Sequence, residues 1–168
     1  MKRRASHVAS LDRALAELGY RSDPESAQTA SRWLSVLEDF APGRPLPALD
    51  TFPAPSADAV RFRGLPFHSL CAHHLLPFFG HADIAYRPVK VIAGLGAVAR
   101  ALRHFARQPQ LQERLAAQLA DHLAAALGAP VAVRLHARQL CMEMRGVESA
   151  GEIEVVALRG GADASLLG

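Results

Sequence analysis

Residues 60–93, which read VRFRGLPFHSLCAHHLLPFFGHADIAYRPVKVIA, decide the predicted fold. In VRFRGLPFHSL, and again in HADIAYRPVKVI, apolar and polar residues alternate as they do in β-strands with one buried face. The intervening segment from Pro77 to Gly80 is predicted to be the turn between the two strands. These residues therefore indicate an antiparallel β-hairpin.

The remainder of the chain after this hairpin predicts two helices and two more strands. Helical periodicity runs from Gly96 to Arg107 and from Gln110 to Leu127, and Gly128 is a favourable residue just past a helix end. The segments VAVRLHARQLCMEM and EIEVVAL alternate like strands, and Cys141 falls inside the first of them. The order β-β-α-α-β-β predicts an α+β fold with an antiparallel four-stranded sheet and two helices on one face.

The first 58 residues are predicted to form a separate N-terminal part. Val8, Leu11, Leu15 and Leu18 recur at helical spacing, and a second amphipathic helix is predicted after the start signal Ser22-Asp23-Pro24. The Pro- and Ala-rich stretch at 41–59, APGRPLPALDTFPAPSADA, is predicted to be an extended linker without an element of its own. We therefore expect a helical segment with a linker at 1–58 and the main domain at 59–168.

Composition limits the classes of function. The net charge is +3 and the arginines are scattered, which does not favour a nucleic-acid partner. The chain has no apolar run of about 18 residues and no apolar segment of a secretory signal near its start, so neither a membrane partner nor export is predicted. With only two cysteines, a disulfide scaffold is not expected. The sequence predicts a cytoplasmic protein.

The densest group of metal-capable side chains is Cys71-Ala72-His73-His74, and Cys141 is the only other cysteine. This arrangement offers three ligands of the kind zinc prefers. Structural zinc sites usually have four protein ligands, whereas catalytic sites have three and leave one position open. The count favours a catalytic site if zinc binds. The alternative is that both cysteines are small buried apolar residues and that the histidines occupy a turn.

Three blocks of sequence together resemble the GTP cyclohydrolase I family. They are SLCAHHLLPFFGHADIAYRP at 69–88, GLGAVARALRHFARQPQLQERL at 94–115 and LCMEMRGV at 140–147, and the resemblance extends from about Leu11 to Gly160. It implies a T-fold domain at 59–168 whose subunits assemble into a toroidal homo-oligomer, commonly a decamer of two stacked pentamers. It also implies active sites at subunit interfaces and GTP or a related purine nucleotide as the substrate.

The resemblance assigns the metal site residue by residue. Cys71, His74 and Cys141 match the zinc ligands of the family, and His73 matches a neighbouring acid or base. Zinc lowers the pKa of bound water towards about 7, and the resulting hydroxide would attack C8 of the purine. The implied reaction opens the imidazole ring, releases C8 as formate, rearranges the ribose and forms dihydroneopterin triphosphate.

The resemblance also assigns substrate contacts. Gln112 and Glu113 match positions that recognise guanine, where a carboxylate accepts hydrogen bonds from N1 and N2. Arg100 and Arg145 match arginines that bind the triphosphate. On the residues alone, Glu113 could equally be a solvated residue in the first turn of a helix, and either arginine an ordinary surface residue.

The chain departs from the family at several site positions. Gln139 replaces a histidine that transfers protons during ring opening, and glutamine cannot carry a proton near neutrality. Strand alternation predicts that 139 and 141 share one face of the sheet and that His136 lies on the other. Gly96 and Ala97 replace a serine and a lysine, and Ala72 replaces a glutamate.

Three hypotheses follow from these matches and departures. The chain is a GTP cyclohydrolase I with a relaxed site, or a paralogue that stops at a formamidopyrimidine or another ring-opened product. The third possibility is a non-catalytic, zinc-containing structural or regulatory oligomer.

Overall fold

The computed structural model describes residues 2–20 and 23–168. The chain divides into two compact units, Met1–Ala41 and Pro42–Gly168. The sequence predicts a boundary between residues 58 and 59, whereas the two units of the structure divide after Ala41. The proline-rich stretch after Ala41 therefore groups with the second unit and not with the helices. No helix among the described residues is long and apolar enough to cross a bilayer.

The first unit contains the two predicted helices, α1 at Lys2–Glu17 and α2 at Thr29–Asp39. Arg4 of α1 forms an ion pair with Glu38 of α2 across 3.1 Å. Of the predicted start signal, Ser22 lies outside the described residues. α2 begins later than that signal predicts, because Asp23 forms a turn in which its Oδ1 accepts a hydrogen bond from the Ser26 backbone N at 2.8 Å.

The second unit is a β-sheet packed against two long helices. The strands are β1 Thr51–Pro53, β2 Val60–Cys71, β3 Pro77–Tyr86, β4 Val91–Ala93, β5 Pro109–Gln110, β6 Val131–Gln139 and β7 Glu152–Arg159. The helices are α3 Leu95–Ala106, α4 Gln112–Leu127, α5 Leu140–Glu143 and a final 3-10 turn Ala164–Leu167. The main sheet has the strand order β5-β2-β3-β6-β7, and β1 and β4 form a separate pair.

The predicted fold class is confirmed, because four antiparallel strands carry α3 and α4 on one face in the order that the T-fold resemblance implies. The sheet gains a fifth strand that the sequence does not predict, since β5 pairs in parallel with Leu70–Cys71 at the end of β2. A two-residue strand carries too little pattern for alternation to be recognised.

The predicted turn from Pro77 to Gly80 is wrong. These residues belong to β3, and the chain reverses at 72–76, where the Cys71 N–H donates to the Leu76 carbonyl at 2.8 Å. Phe78 is 1% exposed and is part of the core. A Cβ at Gly80 would collide with the His136 carbonyl oxygen, so glycine permits the close approach of β3 to β6 instead of forming a turn.

The expectation of an extended linker without an element at 41–59 is also wrong in part. Residues Thr51–Pro53 form β1, which pairs antiparallel with β4. The Gly94 N–H donates to the Asp50 carbonyl at 2.8 Å, which extends this pairing to the start of α3. A proline-rich composition hides such a strand because proline is tolerated at sheet edges, where its missing N–H costs nothing.

The core lies between the sheet and the helices. Along β3 and β6, alternate residues such as Ala82, Ile84, Val133 and Leu135 pack against α3 and α4. Their neighbours point to the other face, where Ala85 and Ala132 pack against Leu166 and Leu167 of the final turn. The ends of β2 and β6 and the beginning of α4 meet at one edge of this core, and the candidate site lies there.

Candidate metal centre and cavity

A cavity of about 240 Å³ brings together side chains from three parts of the second unit. Cys71 and His73 come from the end of β2 and the turn after it, Glu113 comes from the first turn of α4, and Gln139 and Cys141 come from the end of β6 and from α5. These residues are far apart in the chain, and the strand pairings β2-β3 and β3-β6 bring them to one edge of the sheet.

The turn after β2 arranges three possible metal ligands. One ligand atom from each of Cys71, His73 and His74 lies within 4.8 Å of the other two, and Cys71 Sγ is 3.7 Å from Nδ1 of His74. Leu75 adopts a positive φ of 53°, which closes the turn tightly enough to bring the histidines back to the cysteine. The Cys71 thiol is buried, whereas both histidines are exposed.

Cys141, the third predicted ligand, lines the same cavity as Cys71. Burial raises the pKa of its thiol, and the adjacent Cys71 thiol raises it further because two neighbouring thiolates would repel each other. A divalent cation would relieve this repulsion. Two sulfurs and an imidazole nitrogen are ligands that zinc prefers, so the residues present fit the zinc ion that the sequence predicts.

The strand predicted to contain Cys141 ends before it. β6 stops at Gln139, and Leu140–Glu143 form one helical turn, so residues 139 and 141 are not related by strand alternation. The predicted alternation therefore fails at Cys141. Alternation does hold for residues 136 and 139, which lie on opposite faces of the sheet. Gln139 contacts α4 on the helix side, and His136 stacks on His81 on the other face.

A chain of buried amides fixes the orientation of Gln139. The Gln112 side chain is 3% exposed, and its Nε2 donates to the Leu135 carbonyl at 3.1 Å and to the Ile153 carbonyl at 2.8 Å. With both amide hydrogens used, Gln112 can offer Gln139 only its oxygen, and it accepts from Gln139 Nε2 at 2.8 Å. The Gln139 amide nitrogen is therefore held against Gln112, and its carbonyl oxygen is left as an acceptor.

The remaining predicted substrate contacts lie at different places. Glu113 is exposed and lines the cavity in the first turn of α4. Arg145 lies beside the predicted metal ligand His74, with its Nη1 2.9 Å from His74 Nε2. Arg100 does not line the cavity but forms an ion pair with Asp50 at 2.8 Å. Gly96 is exposed and Ala97 is buried on α3.

Gln110 is a supporting residue that the sequence does not reveal. Its side chain is buried and donates to the Phe105 carbonyl and to Gln118, while its own backbone carbonyl accepts from the Ala72 N–H at 2.9 Å. The residue thus ties the metal-binding turn to the segment that precedes α4. The sequence predicts Gln110 as the first residue of a helix, whereas it lies in β5 and α4 begins at Gln112, so helical periodicity could not identify this role.

Comparison with known proteins identifies the family. The family model GTP cyclohydrolase I matches residues 9–164. GTP cyclohydrolase 1 of Hyperthermus butylicus is 39% identical over 142 residues, which cover 82% of this chain and 74% of that protein. GTP cyclohydrolase 1 of Aquifex aeolicus is 50% identical over 105 residues, which cover 61% of this chain and 57% of that protein.

Among solved structures, the archaeosine synthase QueF-Like in its apo form superposes on this chain with a TM-score of 0.49 and a sequence identity of 22%. The superposition covers 64% of this chain and 99% of that one. The family match spans both units and includes the cavity, the cysteines and the amide chain. The chain belongs to the GTP cyclohydrolase I family.

Proposed function

We propose that this protein is a zinc-dependent cyclohydrolase that opens the imidazole ring of GTP, releases C8 as formate and forms 7,8-dihydroneopterin triphosphate. The observation that carries the proposal is the content of one cavity: a thiol pair, a histidine and a carboxylate line its walls together. We propose that these groups supply metal binding, proton transfer and purine recognition to one bound base.

Cys71, His74 and Cys141 would hold the zinc ion, which when bound supplies a hydroxide nucleophile near neutral pH. His73 is exposed on the cavity wall next to these ligands, so it can exchange protons with the opening ring. Both thiols are free in this chain, which suits the reducing cytoplasm that we propose as its location.

Glu113 would recognise guanine by accepting hydrogen bonds from N1 and N2. A carboxylate gives this selectivity because adenine presents an acceptor at N1 and has no N2 amine. The Gln112 side chain makes its hydrogen bonds within the protein, so we assign it the role of positioning Gln139. The Gln139 carbonyl oxygen would then accept a hydrogen bond from the substrate.

The triphosphate needs cations that this cavity lacks. Among the described residues, no lysine or arginine lines it, although Arg145 lies close by. We propose a toroidal homo-oligomer in which a neighbouring subunit completes the site, with Arg100 as one of the arginines delivered across the interface. Two strand edges support assembly with neighbouring subunits. Among the described residues, β7 is the last strand at one end of the sheet, and at the other end β5 pairs only with the final residues of β2.

A second candidate product follows from Gln139. Because an amide cannot shuttle a proton near neutrality, a step that relies on the family histidine would be slow here by a factor of about 10² to 10⁴. Gly96 and Ala97 also lack the hydroxyl and the ammonium that the later rearrangement and phosphate binding use in the family. The chain would then release a formamidopyrimidine or an open diamine.

Product analysis separates these functions. Zinc-loaded protein is incubated with GTP, with ATP as the matched control, and the mixtures are analysed by mass spectrometry. Dihydroneopterin triphosphate from GTP alone supports the main proposal, and a ring-opened purine supports the second candidate. Unchanged GTP would contradict both and favour a structural or regulatory oligomer. A Glu113→Gln variant that accepts GTP and ATP alike would support the recognition role of the carboxylate.

A further inference from the structure

A second group of metal-capable side chains lies on the opposite face of the sheet from the cavity. It consists of His81 on β3, His136 on β6 and Glu152 on β7, three neighbouring strands of the main sheet. One ligand atom from each residue lies within 4.8 Å of the other two. Neither the cavity nor the family resemblance uses these side chains.

The strand register brings the three residues together. His81 and His136 are directly opposite each other across β3 and β6, and their rings stack with centroids 4.7 Å apart and planes 19° apart. On β7, Glu154 is opposite His136, and Glu152 is two residues away on the same face. The absent side chain of Gly80 allows β3 to approach β6 closely beside this pair. The strand register therefore places two imidazoles and a carboxylate side by side on one face of the sheet.

The surrounding charges leave the Glu152 carboxylate available. Arg138 forms an ion pair with Glu143 at 2.5 Å, and Arg134 lies 3.4 Å from Glu154, so both nearby guanidinium groups already have carboxylate partners. Glu154 also lies 3.5 Å from His136 Nε2. In the part of the chain that the structure describes, no ion pair or hydrogen bond engages the Glu152 side chain. The one cluster carboxylate is thus free to bind a cation.

We propose that His81, His136 and Glu152 form a second binding site for a divalent transition-metal ion of the zinc type. Two imidazole nitrogens and one carboxylate oxygen match the ligand preferences of Zn²⁺, Co²⁺ and Ni²⁺, and they do not suit Ca²⁺ or Mg²⁺, which select oxygen ligands. Tetrahedral zinc with bonds of about 2.0 to 2.1 Å holds its ligand atoms about 3.3 Å apart, so binding would require side-chain rotations that draw the three ligand atoms together and tilt the stacked imidazoles towards one ion. The ion would fasten the terminal strand β7 to β3 and β6.

This site differs from the proposed catalytic centre in its ligands, and the difference can be measured. Cobalt bound by thiolates shows a sulfur-to-metal charge-transfer absorption, whereas cobalt bound by imidazole and carboxylate does not. We therefore propose a Co²⁺ titration of the metal-free protein, followed by absorption spectroscopy and by measurement of the metal content after removal of unbound ion. The expected result is about two ions per chain, of which one gives the charge-transfer band.

Variants assign each ion. His136→Ala and Glu152→Gln should each remove the ion without the charge-transfer band and leave that band at its full intensity. Cys141→Ser should remove the band and leave the other ion bound, so failure of the catalytic-centre proposal can be told from failure of this one. His68→Ala is the matched control, because His68 lies on the same sheet face, is exposed and stacks on Phe79 outside the cluster.

Two results would overturn the proposal. One is saturation at about one ion per chain with the charge-transfer band, and the other is a second ion that persists in His136→Ala and Glu152→Gln alike. Glu152→Gln changes an exposed side chain and conserves its size, so it is expected to fold as the parent does. It keeps the test decisive even if His136→Ala perturbs the sheet. A second ion lost equally in His68→Ala would also count against the assignment.

Discussion

Replacing Gln112 with methionine tests the amide chain that orients Gln139. Methionine has a similar length and volume but neither donates nor accepts the hydrogen bonds that the glutamine makes. Three contacts would be lost, at 2.8, 2.8 and 3.1 Å, and each contributes about 0.5 to 1.5 kcal/mol to stability. Burial of the methionine side chain offsets part of this loss. We expect the free energy of unfolding to fall by about 2 to 3 kcal/mol.

Urea unfolding at a fixed protein concentration measures this change, because an oligomer's stability depends on concentration. Circular dichroism is the suitable signal, since the only tryptophan, Trp33, belongs to the other compact unit. Gln108→Met is the matched control, because the half-buried side chain of Gln108 makes no hydrogen bond to any described residue. The backbone carbonyl of Gln108, which accepts from the Ser69 hydroxyl, is retained in the variant. This control should change stability by no more than about 0.5 kcal/mol.

A loss of less than about 1 kcal/mol in Gln112→Met, or a change no larger than that of its control, would contradict a stabilising role for the amide chain. The same variant should also lower the rate of ring opening, since an unanchored Gln139 can turn its amide hydrogens towards the cavity. A variant that is as unstable as expected but fully active would show that the amide chain supports the fold alone.

Three further predictions concern single histidine positions or a single substitution to histidine. His73→Ala should keep its zinc while the turnover rate falls about 10² to 10⁴-fold, whereas His74→Ala should lose zinc. Metal analysis together with an activity assay measures both effects, and loss of zinc in His73→Ala but not in His74→Ala would show that the two roles are reversed. Gln139→His restores a titratable group beside the metal ligands and should speed ring opening of GTP, as measured by stopped-flow absorbance; an unchanged rate would mean that proton transfer at this position is not limiting. Burial, and secondarily His104, lower the pKa of His122 in the folded state. The unfolded state therefore binds more protons below about pH 6.5, so stability should fall as the pH drops through this range, and His122→Gln should flatten the dependence in urea titrations.

The alternation in residues 60–93 predicts the sheet because it records which face each side chain buries. Phe67, Ala82 and Ile84 pack on the helix side, as the period of two requires. The predicted turn is misplaced because Pro77 and Gly80 are common turn residues. In this fold, Gly80 instead accommodates the backbone of β6, a constraint that involves residues more than fifty positions away.

Residue types and the resemblance suffice to propose Cys71, His74 and Cys141 as metal ligands, but the setting of these residues could not be predicted. The amide chain joins Gln112 to Gln139 and to the carbonyls of two strands, and no local pattern encodes such contacts. Cys141 leaves the strand because α5 begins directly after Gln139, a boundary that alternation does not mark. The face shared by His81, His136 and Glu152 likewise depends on the register between three strands.

The most direct measurement of the central claim follows the carbon atom that the reaction removes. GTP labelled with ¹³C at C8 is incubated with the zinc-loaded protein, with chelator-treated protein and with treated protein to which zinc has been restored, and the carbon is followed by NMR. We predict labelled formate from the first and third samples and none from the second. A C8 signal that stays in intact GTP in every sample would contradict the claim that Cys71, His74 and Cys141 hold a metal for purine ring opening.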